Sequence, residues 1–352
     1  MEGKQFHYFA GDHTAKGFYP LYESNFQGLD RLIRLTGTSG YMKSDLLQKI
    51  AALGEAKGHE MEIIHSSSDN NALDGVILPS LKLGMYNGDV YGGAGEEFNL
   101  DKALEQEVLQ DQEDAILSLK EKMESEYLSA HASFATGLHI HDGLEEIYIN
   151  QMDFSKADQT ANELIDRFFG DTKALEKKST VKHRYFGAST PEGVVDYIPN
   201  LTEELHKRYF IKGRAGTGKS TLLKKMASAA EELGLDVEVY HCGFDPESLD
   251  MIIVRELSFC IFDSTDPHEY FPETSRDEII DLYLKTVTPG TDEKYATAIM
   301  ELNRSYKSYM KEGIRTLQEA NSLNKELETM YAEAMDQAKF AALFDSLKKE
   351  LD

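Results

Sequence analysis

The chain is poor in cysteine and in positive charge, and each shortage excludes a class of protein. Only two of its 352 residues are cysteines, Cys242 and Cys260. Both lie in apolar, strand-like runs, so we expect buried reduced thiols and no disulfide framework. Asp and Glu outnumber Lys and Arg by 62 to 37, and the formal net charge is -25. This balance argues against nucleic acid or an anionic membrane as the main partner.

Long apolar runs and targeting signals are also missing. No run approaches the roughly 20 apolar residues that span a bilayer. The N-terminus, M-E-G-K-Q-F-H, lacks the charged-then-apolar pattern of a secretion signal. No polybasic tract with interleaved aromatic residues supports nucleic-acid binding. We therefore expect a soluble cytoplasmic protein with neither a membrane nor a nucleic-acid partner.

The most informative stretch that is present has the sequence G-R-A-G-T-G-K-S-T and begins at Gly213. It matches the Walker A pattern G-x-x-x-x-G-K-[ST] between a strand-like and a helix-like run. Glycines let several backbone N–H groups face a polyphosphate, and the following helix N-terminus adds partial positive charge. The residues expected to bind the nucleotide are Gly213, Ala215, Gly216, Thr217, Gly218, Lys219, Ser220 and Thr221.

Four residues in and after this loop have expected roles in catalysis or in binding the metal ion. Lys219 should reach the β and γ phosphates, and the Ser220 hydroxyl should bind Mg²⁺ directly. Asp263 ends the apolar run L-S-F-C-I-F-D, where a carboxylate can hold water on the same ion. His268 is a candidate for catalysis or for a sensor role. Residues 177–225 contain eleven Lys and Arg against four Asp and Glu, which suits a polyanionic ligand.

The sequence also contains a duplication. Residues 7–89 align without a gap on residues 183–265, with about 21 identical pairs where unrelated sequences would give about five. Each copy reads as a strand, the loop, a helix, a second strand, an irregular polar stretch and a third strand. This order predicts an α/β fold with parallel sheets, in two domains at residues 1–175 and 176–352.

The two copies differ where the chemistry would occur. Gly218 is matched by Met42, whose side chain should crowd the phosphates, and Asp263 is matched by Asn87, which carries no charge. We therefore expect one working site in the second half and a degenerate one in the first. Lys43 and Ser44 remain in the first copy and leave weak anion binding there as an alternative.

Helical patterns follow the third strand of each copy. Residues 295–320 and 321–351 place apolar residues at helical spacing and predict an antiparallel hairpin, packed on its own sheet or on the other copy. Residues 101–130 and 151–169 are the expected equivalents in the first half. Each α/β unit should thus carry an appended helical segment.

The loop and strand pattern resembles the P-loop NTPase superfamily. A doubled H-x3-G-x2-T-x2-G segment, H-C-G-F-D-P-E-S-L-D and D-S-T-D-P-H extend the resemblance. With them, nearly the whole chain is similar to a family of uncharacterised bacterial tandem P-loop ATP-binding proteins. The resemblance implies two P-loop NTPase-like domains and ATP as the ligand. The first copy departs from the active pattern at Met42 and Asn87.

Three functions are compatible with this sequence. The first is an Mg²⁺-dependent ATPase, although Ser264 stands where many ATPases have a catalytic Glu. The second is a small-molecule kinase with an unidentified acceptor. The third is a nucleotide-controlled module that binds a protein partner through its helices. GTP is disfavoured because no N-K-x-D sequence is present.

Overall fold

A computed structural model describes residues 3–351, which form an α/β fold with two mixed sheets of six strands each. The strands of the first half are β1 (Gln5–Phe9), β2 (Gly11–Thr14), β3 (Gly17–Pro20), β4 (Arg31–Thr36), β5 (Met61–His65), β6 (Leu73–Leu78), β7 (Leu83–Asn87) and β8 (Glu96–Asn99). Those of the second half are β9 (Val181–Arg184), β10 (Gly187–Thr190), β11 (Gly193–Asp196), β12 (Lys207–Lys212), β13 (Val237–His241), β14 (Leu249–Val254), β15 (Phe259–Asp263) and β16 (Asp277–Asp281).

The described residues contain five α-helices before residue 176 and six after it. They are α1 (Tyr22–Asn25), α2 (Gly40–Ala56), α3 (Gln106–Gln110), α4 (Glu113–Ile149), α5 (Phe154–Phe169), α6 (Ile198–Thr202), α7 (Lys219–Glu232), α8 (Leu282–Thr286), α9 (Thr291–Lys294), α10 (Ala296–Glu333) and α11 (Gln337–Lys348). No helix within residues 3–351 combines the length and the apolar character needed to cross a membrane.

The two sheets have the same strand order, β1-β5-β6-β7-β4-β8 and β9-β13-β14-β15-β12-β16. The expected parallel arrangement holds for five strands of each sheet and is wrong for β6 and β14, which are antiparallel to both neighbours. In the second half, residues 242–248 and 255–258 connect β14 to its neighbours. Such short connections form hairpins, whereas a parallel pair needs a crossover of a dozen or more residues.

The strand before the loop lies beside the strand that ends in an acid. β12 pairs in parallel with β15, and Ile211 is in register with Asp263. Because parallel strands end at the same edge of a sheet, the loop that begins at Gly213 and the Asp263 carboxylate share that edge. In the first half, β4 and β7 bring Leu35 into register with Asn87 in the same way.

The two sheets meet at their matching edge strands, β1 and β9. Phe9 and Tyr185 exchange two backbone hydrogen bonds of 3.0 and 2.9 Å. Short helices cross over this junction, since α6 packs on β1 and α1 packs on β9. Arg184 is buried there, with its guanidinium 4.0 Å from the Tyr8 ring centre and ion-paired with Glu62. The halves therefore share a continuous interior.

Each sheet is covered by a helix from the other half of the chain. Ala161, Leu164 and Phe169 of α5 belong to the apolar core of the second sheet. The end of α10 and α11 supply residues to the core of the first sheet, among them Leu327, Tyr331, Phe340 and Leu347. The boundary between residues 175 and 176 thus separates the strands of the two units but not the helices that bury them.

The prediction of a C-terminal hairpin that turns near residue 320 is wrong. α10 continues as one helix to Glu333, and α11 starts only after Asp336, whose side chain accepts hydrogen bonds from the backbone of Ala338 and Lys339. The expected helix over residues 101–130 is likewise replaced by α3 and the longer α4. No Gly or Pro near residue 320 interrupts α10, and its partner is α4, against which it packs along much of its length.

The helices α4 and α10 run antiparallel and approach each other closely. A Cβ placed on Gly313 would lie 2.3 Å from Phe134 Cε1, and one on Gly137 would lie 3.5 Å from Tyr309 Cβ. Leu317 and Ala130 are buried in the same small core. Small residues on both helices therefore set the distance between them.

The internal repeat continues through these helices with a register shift. The bridge Leu104–Met335 corresponds to the bridge Met152–Val287. Leu104 matches Val287, and Met152 matches Met335, when the two halves are offset by 183 residues rather than 176. The same spacing matches Glu145 with Glu328 and Tyr148 with Tyr331. A gap-free alignment misses this extension, which is why the copies were expected to diverge after the third strand.

Candidate functional site

The second-half loop has the backbone that only glycine adopts readily. Gly216 has φ +69° and Gly218 has φ +83°, and α7 begins directly after Gly218. A Cβ placed on Gly213 would lie 2.5 Å from Thr217 Oγ1. Left-handed φ costs most other residues about 1–2 kcal/mol. The first N–H groups of α7 have no intrahelical acceptor and are available to an anion.

The structure brings Lys219, Ser220 and Asp263 together at one edge of the sheet. Lys219 Nζ donates to the Arg214 carbonyl oxygen at 2.8 Å and lies 3.5 Å from Asp263 Oδ2. Ser220 Oγ accepts a hydrogen bond from the Leu249 N–H at 2.9 Å. Two consecutive residues at the start of α7 and one at the end of β15 thus form one polar cluster beside the glycine loop.

A second carboxylate, Asp250, belongs to this cluster and was given no role from the sequence. It lies on β14 next to Asp263, and burial together with the Asp263 charge raises the pKa of Asp250 to about 6. The repeat alignment paired it with Asp74. Its position beside Asp263 depends on the antiparallel strand β14, which the sequence pattern did not predict.

His268 lies on the wall of the same cavity and is held in place by Asp196. The distance from His268 Nδ1 to Asp196 Oδ2 is 2.9 Å, and the Tyr270 hydroxyl donates to the other Asp196 oxygen at 2.7 Å. The His268 ring meets Phe186 edge-on. A histidine oriented by a carboxylate is a suitable proton acceptor or donor.

A cavity of about 1300 Å³ opens above the loop. It is lined by the loop, by Asp263, Asp250 and His268, and by residues of α4 and α10. Pockets that hold a single small-molecule ligand measure roughly 300–1,000 Å³. The cavity therefore has room for a nucleotide and for a further small molecule.

Helix α4 comes from the first half and touches the loop directly. The Glu145 carboxylate lies near the Gly216 N–H. Burial raises the pKa of Glu145, and the proximity of this N–H opposes that shift. A Cβ placed on Gly216 would lie 2.7 Å from the Glu145 carbonyl oxygen. A carboxylate thus lies beside an N–H group of the kind that phosphate oxygens bind.

The corresponding loop of the first half has a different backbone. Helix α2 starts at Gly40, the equivalent of Gly216, so it begins three residues earlier in the repeat than α7. Ser39 Oγ accepts a hydrogen bond from the Met42 N–H at 3.1 Å, and the Met42 side chain is buried in the core. Lys43 is fully buried and pairs with Asp89. The segment is wound into a helix and forms no cradle.

A carboxylate from α10 closes the start of this helix. Glu328 Oε1 accepts a hydrogen bond from the Gly40 N–H at 2.9 Å, and Glu328 Oε2 accepts one from Ser39 Oγ at 2.7 Å. Glu328 is the repeat equivalent of Glu145. The counterparts of the two acids Asp250 and Asp263 also have different surroundings here: Asp74 accepts a hydrogen bond of 2.8 Å from Tyr22, and burial raises its pKa while the uncharged Asn87 side chain near it lowers it.

Within residues 3–351 no group of three or more His, Cys, Asp or Glu side chains is arranged to hold a metal ion. A divalent ion at the loop would depend on Ser220, Asp263, water and the ligand's own oxygens. Mg²⁺ is bound in this way in many phosphate sites, with few protein ligands and several waters. Ser220 and Asp263 lie at the same edge of the sheet and fit such an ion.

Comparisons of the chain with family models, with curated proteins and with solved structures give no match in any of the three.

Proposed function

We propose that this protein binds Mg²⁺-ATP at the second-half loop and hydrolyses it, with a single working site per chain. The observation that carries the proposal is the contrast between the two halves. The loop at Gly213 is an open glycine cradle with Lys219 and Asp263 beside it, whereas Glu328 fills the start of the corresponding helix. A shared ancestral site has kept its anion-binding geometry on one side only.

The residues of the loop have separate roles in this reaction. The N–H groups from Gly216 to Thr221 hold the phosphates, and Lys219 exchanges its contact with the Arg214 carbonyl for phosphate oxygens. Bound Mg²⁺ supplies positive charge at the β and γ oxygens. Ser220 and Asp263 would hold that ion. His268, held by Asp196, is placed to accept a proton from attacking water.

A second candidate is phosphoryl transfer to a small acceptor, and the size of the cavity favours it. At about 1300 Å³, the space exceeds what one nucleotide needs. Asp250, Asp263 and His268 lie on the wall where an acceptor hydroxyl would approach the terminal phosphate. The two candidates share the ATP site and differ only in the nucleophile.

Calorimetric titration with Mg²⁺-ATP tests the proposed site. We expect one equivalent to bind per chain, loss of binding on Lys219→Ala and unchanged binding on the matched first-half variant Lys43→Met. Asp263→Asn should keep measurable ATP affinity but lose turnover, since it removes a ligand of the ion rather than the phosphate cradle. Two equivalents per chain, or unchanged binding on Lys219→Ala, would contradict the proposal.

The choice between water and an acceptor needs a separate assay. Phosphate release with ATP as the only substrate supports hydrolysis. ADP formation that appears only when cell metabolites are added supports transfer. In either assay the Lys219→Ala protein is the negative control.

A further inference from the structure

The roles proposed for the loop residues determine how a bound nucleotide is oriented in the cavity. The inference drawn from that orientation rests on the proposed function. Lys219 and Asp263 mark the terminal phosphates, and the N–H groups of the loop hold the phosphates nearer the sugar. The segment 149–158, which comes from the first half of the chain, lines the cavity on the side of this loop and of α7. Met152 approaches Gly218 there, and Asp158 pairs with Lys225 of α7.

This segment exposes large apolar side chains beside the loop. Phe154 is 60% exposed and Ile149 is 40% exposed, although both line the cavity. Ile149 Cγ1 is 3.0 Å from a Cβ placed on Gly216, and Met152 Cε is 3.5 Å from one placed on Gly218. An exposed aromatic ring next to a phosphate cradle is a surface on which a planar base can stack.

The backbone around these side chains is held firmly. The Asp153 N–H donates to the Thr286 carbonyl oxygen at 2.7 Å, and the Asp153 side chain caps α5 by accepting a hydrogen bond from the Lys156 N–H. Met152 forms a bridge with Val287. Phe154, the first residue of α5, is thus presented at a fixed place on the rim.

The first half lacks this apolar surface at the equivalent positions. With the spacing of 183 residues, Ile149 corresponds to Ala332 and Phe154 corresponds to Gln337. Asp153 and Asp336, which cap the helices that follow, are the same in both halves. The backbone geometry is therefore shared, and the exposed apolar side chains occur only where they face the open loop.

We propose that the base of the bound nucleoside triphosphate stacks on Phe154, flanked by Ile149 and Met152. The site is then composite: the second half binds the phosphates and the first half binds the base. Stacking of this kind distinguishes a purine nucleotide from a bare polyphosphate.

Calorimetry with two probes, Mg²⁺-ATP and Mg²⁺-tripolyphosphate, tests the base site. Phe154→Ala should weaken ATP binding about tenfold or more, the usual effect of losing a base–aromatic stack, and leave tripolyphosphate binding within twofold. Leu128→Ala is the control, because Leu128 is equally exposed at 62% on α4 but lies outside the cavity. This variant should bind both probes like the unmodified protein.

The outcomes separate the base site from the phosphate site. Equal effects of Phe154→Ala on both probes, or no effect on either, would overturn the base site. An unmodified chain that binds tripolyphosphate as tightly as ATP would also overturn it while supporting the phosphate site. An unmodified chain that binds neither probe would overturn both proposals.

A fluorescence assay gives a readout that does not depend on turnover. The chain contains no tryptophan, so Phe154→Trp introduces the sole indole, at the rim of the cavity. Its emission should change on addition of Mg²⁺-ATP and stay constant with Mg²⁺-tripolyphosphate. An emission spectrum that is unchanged at saturating ATP would contradict stacking at this position.

Discussion

Gly218 and Met42 occupy the same position in the repeat and give the chain two different local structures. At Gly218 the backbone is left-handed and the loop stays open, whereas Met42 lies inside α2 with its side chain in the core. A residue with a Cβ disfavours the left-handed conformation. Methionine at this one position therefore favours winding of the segment into a helix.

The variant Gly218→Met should make the second-half loop adopt a structure closer to the helical segment of the first half. We expect it to weaken Mg²⁺-ATP binding at least tenfold, because the strained conformation costs about 1–2 kcal/mol and the new side chain enters the phosphate path. Titration calorimetry measures the loss. The reciprocal variant Met42→Gly should destabilise the protein without creating a second binding site, since Glu328 still occupies the start of α2. ATP affinity unchanged in Gly218→Met would contradict this account.

The sequence predicted Lys219, Ser220 and Asp263 because their roles follow from a local motif and from a strand that ends in an acid. It did not predict the positions of Asp250, Glu145 or Glu328. Asp250 reaches the site through an antiparallel strand, and the two glutamates reach the loops on helices from the opposite half. Contacts that depend on tertiary packing have no local signature in a single sequence.

The long helices α4 and α10 act as covers for the loop of the opposite half. Glu328 of α10 is hydrogen-bonded to both Ser39 and Gly40, while Glu145 of α4 contacts Gly216 in the loop that has kept its glycines. Under the proposed function, phosphate oxygens would approach the N–H group near which the Glu145 carboxylate lies. ATP binding should then displace Glu145.

Glu145→Gln should tighten Mg²⁺-ATP binding at least threefold, because it removes about 1 kcal/mol or more of repulsion between a carboxylate and the phosphates. The neighbouring exposed residue provides the control, and Glu146→Gln should leave the affinity unchanged. Both dissociation constants come from the same titration. Weaker binding by Glu145→Gln would show that the carboxylate helps to hold the ligand.

The crossing of α4 and α10 offers a matched pair of stability tests. Gly313→Ala places a methyl group 2.3 Å from the buried Phe134 ring, and we expect it to destabilise the fold by about 1 kcal/mol or more despite the better helix propensity of Ala. Gly143→Ala meets only Leu302, at 3.6 Å, and should stabilise by about 0.5–1 kcal/mol. Urea unfolding measures the change in the free energy of unfolding for both variants. Changes of the same sign would contradict the close approach of the two helices at Gly313.

At the scale of the whole molecule, the sequence predicted the α/β class, the duplication and the position of the loop at a strand end. Strong periodicity and the repeat made these features visible. It left open whether the helical segments cover their own sheet or the other copy, because the apolar face of a helix fits either sheet equally well in a sequence pattern. The register shift of seven residues also hid the repeat of α4 and α10.

Separate expression of residues 1–175 and 176–352 tests the exchange of covering helices. Each piece leaves a sheet without its covering helix, so neither should give a cooperatively unfolding monomer. Coexpressed pieces should associate one to one, since Leu164 and Leu347 then regain their cores. Size-exclusion chromatography and thermal unfolding monitored by circular dichroism report both results. A stable isolated half would contradict the exchange.

The swapped helices also constrain how such a chain could arise. A single-copy ancestor with these helices would have buried them only against a second copy of itself, as an obligate symmetric dimer. Joining two copies of its gene would have made that dimer covalent and allowed the two halves to differ in sequence. One half could then lose its own ligand and contribute mainly residues that line the cavity of the other half.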